Sequence, residues 1–405
     1  MAAYDALAPC ATSGVMRLGE TVVLVEPFPE PHSSGAFPFS LSAATLAAAG
    51  AISTAHGRYS QKGLVGRPYG SSVPGAAASP GGGAPAAAAG APPLRAAALR
   101  LTPELWTLSL PHRTQILFFA DISLIVTHLA LRPGSVVVES GTGSGSLTHA
   151  LARAVAPGGA VHTFEFNAAR AEQARNEFLA HGLAAVVRVA HRDAVADGFC
   201  AAAPGGVGGG GGGARAPAPG GVPRGGADAV FLDLPNPWEA VINAATALRP
   251  GGALCSFSPC IEQVARTAGA LRAAGFEDVR TFETLLRPWA VRAGAGAPLK
   301  RAMDLSRGGG GGGGKRARAE GGGGGAEEGG AAAAPAVEGS GARPPLPSGL
   351  QPPPFCEWPE LPQLHNVRLQ PHARARGHTG FLTFCRLRPG GGHVPSQRGE
   401  NSLSF

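Results

Sequence analysis

The chain has no CxxC pair; its six cysteines, Cys10, Cys200, Cys255, Cys260, Cys356 and Cys385, are scattered. A zinc framework or disulfide scaffold is therefore not expected: the thiols are read as reduced, with no metal. No apolar run approaches the roughly 20 residues that a helix needs to cross a bilayer. The N-terminal MAAYDALAPC lacks a basic n-region. A soluble, intracellular protein with no membrane partner is the expectation. Also missing is a Ser-His-Asp arrangement: Ser144 and Ser258 have no such company, and His112 and His378 read as structural loop residues rather than bases.

What the chain has in excess is glycine and proline, 62 and 37 residues, heavily clustered. The stretches 74–93, 201–226 and 292–353 carry no apolar periodicity. They cannot bury enough surface to offset their ordering entropy and are expected to be disordered insertions. The remainder suits one α/β domain and a smaller companion. The expected layout is a small β-domain over 1–73, a linker over 74–93 and an α/β domain over 94–291 that is interrupted at 201–226. A basic, Gly-rich insertion (292–353), a closing strand region (354–390) and a tail (391–405) follow. The formal charge of +7 permits a nucleic-acid partner without requiring one. Lys300, Arg301, Lys315, Arg316 and Arg318 read either as a two-part nuclear import signal or as a solvated basic linker.

Residues 14–73 read as short β segments, with TVVLVE (21–26) the clearest. A helix is expected from Pro111, with Ser109 as its cap, running through Ile116, Leu117, Ile122, Ile125 and Leu129. Beyond it strands and helices alternate. SVVVES leads into a glycine loop and a helix; strands follow at 160–166, 185–193, 227–235, 251–259 and 276–291, and a last one at 378–388. Such alternation specifies a parallel sheet with helices on both faces.

Glu139-Ser-Gly-Thr-Gly-Ser-Gly145 follows a buried strand and opens a helix. Glycines let a ligand approach the backbone, and a helix N-terminus offers free N–H groups. A dinucleotide fingerprint is G-x-G-x-x-G, but counting from Gly141 the sixth position is Ser146. The tighter spacing suits the amino-acid part of S-adenosyl-L-methionine better than a pyrophosphate, which disfavours a nicotinamide-dependent oxidoreductase. Glu165, ending the next strand, can accept the ribose hydroxyls of an adenosine cofactor. Asp193, ending the third, either accepts from an adenine amino group or caps a turn. Asp233 ends the fourth strand in LDLPNPW, where with Trp238 it can hold a flat base. Trp106 reads as core or domain-junction packing.

Five segments then carry a resemblance: LTPELWTLSLPHRTQILFFADISLI (101–125), LRPGSVVVESGTGSGSLTHAL (131–151), ADAVFLDLPNPWEAV (227–241), CSFSPCIEQV (255–264) and GHTGFLTF (377–384). In this order they resemble the catalytic subunits of eukaryotic tRNA (adenine-N1)-methyltransferase, which act on adenine 58 of the T loop. The resemblance implies a Rossmann-like class I methyltransferase sheet with a small N-terminal β-domain. It implies cofactor contacts from Leu117, from Ser140, Gly141, Gly143, Ser144, Gly145 and Ser146 of the loop, and from Glu165, Arg170, Asp193, Ala194 and Asp233. Asp233 matches the family's active-site aspartate. On the RNA side it implies Gln115, Phe119, Leu232, Leu234 and Pro235, then Ser256, Ser258, Pro259 and Thr379. It further implies tRNA as substrate, the nucleus as location, and a related non-catalytic subunit as partner, two of each chain making a heterotetramer. A non-catalytic RNA-binding subunit of the same fold is the alternative.

Overall fold

The structure, a computed structural model, describes residues 14–27, 39–54, 56–77, 94–110, 116–201, 220–286, 289–293, 367–371 and 380–389. The chain divides into two compact units, one of them residues 289–371.

The first unit begins with short strands. Four of them, β1 (Thr21–Pro27), β2 (Phe39–Thr45), β5 (Ser72–Pro74) and β7 (Arg95–Arg100), form an antiparallel sheet in the order β2-β1-β7-β5. The other three, β3 (Ala51–Ser53), β4 (Gly57–Ser60) and β6 (Ala76–Ala77), form a second small sheet. Alternation decides what each face of β1 does. Val22 and Leu24 join a core with Met16, Tyr59 and Val73, whereas Val23 turns to the other side and packs with Leu101, Trp106 and Ile116. The expected boundary at residue 73 is corrected here: β7 lies beyond the Pro/Gly-rich stretch and still pairs with β1, Val22 opposite Arg100.

Two helices follow where one was expected. α1 (Pro103–Ser109) is started by Thr102, whose hydroxyl accepts from Leu105 N, and by proline in its first turn. Ser109 thus ends a helix rather than capping the next. Leu110 is extended, as a residue before proline must be to avoid the pyrrolidine ring. Residues 111–115 lie outside the described residues, and α2 begins only at Phe119 (Phe119–His128).

The large sheet contains β8 (Val136–Ser140), β9 (Ala160–Glu165), β10 (Val187–His191), β11 (Ala227–Leu232), β12 (Leu248–Ser258), β13 (Phe276–Glu283) and β16 (Phe381–Leu387). Their order is β10-β9-β8-β11-β12-β16-β13. The first five run parallel, and their continuous apolar runs are buried on both faces by α3 (Ser146–Val155), α4 (Ala168–Ala180), α5 (Val241–Ala247) and α6 (Ile261–Ala273). The expectation of a parallel sheet fails at the last strand: β16 is antiparallel to both β12 and β13. The strand–helix alternation that signals parallel crossovers stops at β13, so nothing in it prescribes the direction of β16. The expected strand over 276–291 is also two strands. β13 ends at Glu283, and β14 (Trp289–Ala293) pairs with β15 (Val367–Pro371) in the second unit.

The chain leaves β8 in one direction toward β9 and β10, and later returns on its other side as β11. The order therefore reverses between β8 and β11. Outside the carboxyl ends of those two strands an open α/β sheet has its natural crevice.

Candidate functional site

A cavity of about 510 Å³ sits at that reversal. The glycine loop forms one wall. Gly141, Gly143 and Gly145 all have positive φ, +90°, +54° and +74°, a region that costs an L side chain energy. At Gly141 a Cβ would also fall 2.3 Å from the Asp233 carbonyl, so the loop and the β11 terminus touch backbone to backbone. Asp233 N donates to Ser140 O at 2.9 Å and Gly141 N to Phe164 O at 3.0 Å. Gly145 caps α3 without a side-chain partner for the first helical N–H groups, which leaves them available to a ligand.

Glu165, ending β9, is buried and held from three sides. Its carboxylate accepts from Arg170 at 2.6 and 3.0 Å, from Asn167 N at 3.0 Å and from Gly143 N at 3.3 Å. The carboxylate expected to bind ribose is therefore also a strut of the glycine loop. Asp193 lines the same cavity, and its Oδ1 accepts from Val195 N and Ala196 N, so the turn-capping role holds for that oxygen.

Asp233 is different. Among the described residues its carboxylate takes no hydrogen bond, and burial pushes its pKa up to about 6. The loop that carries it is pinned from α6: Gln263 completes a capping box with Cys260 and donates to Pro235 O at 2.9 Å.

The structure brings together Leu117, Ser140, Gly141, Gly143, Glu165, Arg170, Asp193, Ala194, Asp233, Leu234 and Pro235 around this one cavity. Ser144 and Ser146 line a small recess beside it with Leu117. Gly145 lies behind, against Phe178 and His149. Other expected residues lie off the lining of this cavity. Phe119 lines another groove, beside α1 and α3, and is 43% exposed. Leu232 is fully buried, because both faces of β11 are covered: Phe231 packs into one core cluster and Leu232 into the other. Trp238 does not line the cavity; its ring lies under Arg266 of α6 at 5.3 Å. Ser256 and Ser258 are buried beside their cavity-lining neighbour Phe257, and their hydroxyls have no partner among the described residues. Pro259 is exposed next to them, whereas Gln115 and Thr379 lie outside the described residues, as do His112 and His378.

Sequence reasoning missed three features. Glu139 is fully buried beneath the loop, accepts from Thr148 at 2.7 Å, and has its pKa pushed up to about 7 by burial against the opposing Thr163 and Thr148 hydrogen bonds, with Asp233 and Glu165 adding to the rise. Its position at the end of an apolar strand was the only available signal. Phe166, 70% exposed, lines the cavity beside Glu165. Trp106 donates from its indole to Ser144 O at 3.1 Å, so the packing residue also braces the loop.

Residues 96–207 and 221–306 match the family described as tRNA methyltransferase complex GCD14 subunit. The chain is 41% identical over 250 residues to the tRNA (adenine(58)-N(1))-methyltransferase catalytic subunit TRM61 of Cryptococcus neoformans, covering 61% of this chain and 49% of that one. To the corresponding Dictyostelium discoideum subunit it is 40% identical over 237 residues, 58% of this chain and 65% of that one. The chain thus spans about half to just under two thirds of the length of these relatives. Its fold is that of S-adenosylmethionine-dependent methyltransferases. It overlays an O-methyltransferase from Thermotoga maritima with a TM-score of 0.56 at 19% identity, covering 95% of this chain and 97% of that one. For a tRNA (m1A58) methyltransferase from Aquifex aeolicus the TM-score is 0.50 at 17% identity, with 92% and 98% covered. The resemblance read in the sequence is borne out by these matches.

Proposed function

We propose, on the premise that residues 96–207 and 221–306 match the tRNA methyltransferase complex GCD14 subunit family, that this chain is the catalytic subunit of a tRNA methyltransferase. It moves a methyl group from S-adenosylmethionine to N1 of adenine 58. The observation that carries the reading is Asp233, an acid without a hydrogen-bond partner among the described residues, at the strand-order reversal, sharing one cavity with Glu165, Asp193 and the glycine loop.

The residues fit this cofactor. The uncapped N–H groups at the start of α3 suit its carboxylate, Glu165 its ribose hydroxyls, and Asp193 with Ala194 its adenine. When bound, it supplies an electrophilic methyl on its sulfonium. The nucleophile is the N1 lone pair of the target adenine. No proton leaves N1 during transfer, so Asp233 need not act as a base. Its carboxylate accepts a hydrogen bond from the exocyclic amino group, orients N1, and offsets the positive charge that develops on the base. Since N1 lies on the Watson–Crick edge, the base must be turned out of the tRNA fold to reach the cavity.

The partner in this proposal is a related non-catalytic subunit, in a heterotetramer with two catalytic chains. The description of the matching family as a complex subunit supports it. The test is mass-spectrometric mapping of tRNA incubated with cofactor, partner and this chain. A methyl on N1 of adenine 58 is expected. It should be lost by at least about 100-fold in an Asp233→Ala chain that still binds cofactor by calorimetry. Near-normal turnover by that variant overturns the assignment, and full activity from the homogeneous chain alone removes the partner. Nuclear localisation is proposed from the basic cluster at Lys300, Arg301, Lys315, Arg316 and Arg318, which lies outside the described residues. Nuclear entry by a fluorescent fusion with these five changed to glutamine would remove that argument.

A further inference from the structure

Behind the glycine loop, away from the cavity, two consecutive loop carbonyls are tied to ring nitrogens. Ser144 O accepts from Trp106 of α1 at 3.1 Å. Gly145 O accepts from His149 Nδ1 at 2.6 Å, in addition to the ordinary helical bond from His149 N at 3.2 Å. A carbonyl at the start of a helix normally needs only that second bond. The imidazole is an extra clamp on the residue whose φ of +74° shapes the loop.

The clamp is itself held. A carbonyl only accepts, so His149 Nδ1 must carry the proton, and its Nε2 is left with a lone pair. His181, the C-cap of α4, donates to that nitrogen from its own Nδ1 at 2.9 Å. His181 thereby fixes the tautomer of His149, as an outer partner fixes a ligating histidine at a metal site. Both rings are buried and enclosed by aromatics: Trp106 lies 5.3 Å from His149 and 4.6 Å from His181, and Phe178 meets His149 edge-on at 5.4 Å. Burial lowers the pKa of His149 to about 3 and of His181 to about 4, so the pair is neutral throughout the neutral range. Neither histidine lines the cavity.

We propose that His149, oriented by His181, is a positioning residue that holds the glycine loop in its cofactor-receiving shape without touching cofactor or RNA. The inference rests on the reading of the cavity as an S-adenosylmethionine site.

The test uses the full chain with its partner, and S-adenosylhomocysteine as the calorimetric probe. In His149→Leu, Kd for the probe and KM for the methyl donor should both rise about tenfold or more. kcat should stay within about twofold and KM for tRNA should not change. His149→Asn, whose amide can still donate to Gly145 O, should recover most of the affinity. His181→Phe, which keeps a ring but loses the donor, should fall between the two. A folded His149→Leu chain with wild-type probe affinity overturns the inference, as does a loss in kcat with KM unchanged. Should the leucine variant not fold, nitrogen NMR of the wild-type ring decides. The inference requires the Nδ1–H tautomer at His149, and the commoner Nε2–H form would overturn it. Failure of the wild-type chain to bind the probe would instead sink the cofactor reading, with the tautomer still deciding the relay.

Discussion

At Asp233 burial and function pull in opposite directions. Burial raises its pKa to about 6, whereas the proposed role needs the charged form. A raised pKa means that the carboxylate is lost as pH falls through 6. The value of kcat/KM should therefore drop toward tenfold per pH unit below about 6 and level off above about 7. Asp233→Asn should lower activity by about 100-fold and abolish that acid limb. A pH–rate profile from 5 to 8 checks this, and an unchanged limb in the variant would place the titrating group elsewhere. Asp233, Glu165 and Asp193 were legible in the sequence for one reason: an acid that closes an apolar run stands at the carboxyl edge of a parallel sheet. Glu139 stands at such an end too, but its function as a buried, proton-holding acid depends on Thr148 and on what covers it. His149 and His181 lie 32 residues apart, and no spacing rule links them. Trp238 was misread because a residue one turn past the strand can face α6 as readily as the crevice.

The elements show what local signals carry. Parallel strands announced themselves as unbroken apolar runs, and caps such as Asn167 before α4 set helix starts. Pairing partners did not: whether β7 joins β1, or β16 slots between β12 and β13, depends on contacts distant in sequence. One helix end violates its own local rule. α2 closes with Ala130 N bonded to Thr127 O and Leu131 N to Val126 O, a Schellman pattern whose C′ residue is left-handed. That residue is Ala130, at φ +52°, where glycine would pay no steric penalty. Ala130→Gly should stabilise the protein by about 0.5–1 kcal/mol, the strain relief less the extra freedom glycine has when unfolded. Urea unfolding at pH 7 reads this directly, and a lower midpoint for the variant would contradict it.

For the molecule as a whole, four of its buried titratable groups set opposite pH demands. His149 and His181 have folded pKa values of about 3 and 4, below the unfolded value near 6.5. Their contribution is intact above about 6.5 and is lost as pH falls, because the unfolded chain takes up protons that the folded one refuses. Glu139 and Asp233, at about 7 and 6, are raised above unfolded values near 4. Their contribution is intact below about 4 and is lost as pH rises through 6 to 7. Between pH 5 and 6 the unfolded chain holds roughly two extra imidazole protons and the folded chain roughly two extra carboxyl protons. The net proton difference from these four groups is near zero, and so is their contribution to the slope of stability with pH. Glu139→Gln removes about half of the carboxyl side of that balance. Between pH 5 and 6 the variant should then gain about 1 kcal/mol of stability with rising pH relative to the wild type. Parallel slopes in the two proteins, measured by urea unfolding at both pH values, would mean that Glu139 does not hold its proton in the folded state. A more positive slope in the variant than in the wild type would mean that the glycine loop rests on a neutral acid in front of a neutral imidazole pair. The charged side chains lining the cofactor cavity are then Glu165 with its arginine, Arg192, Asp193, Glu239 and, above pH 6, Asp233.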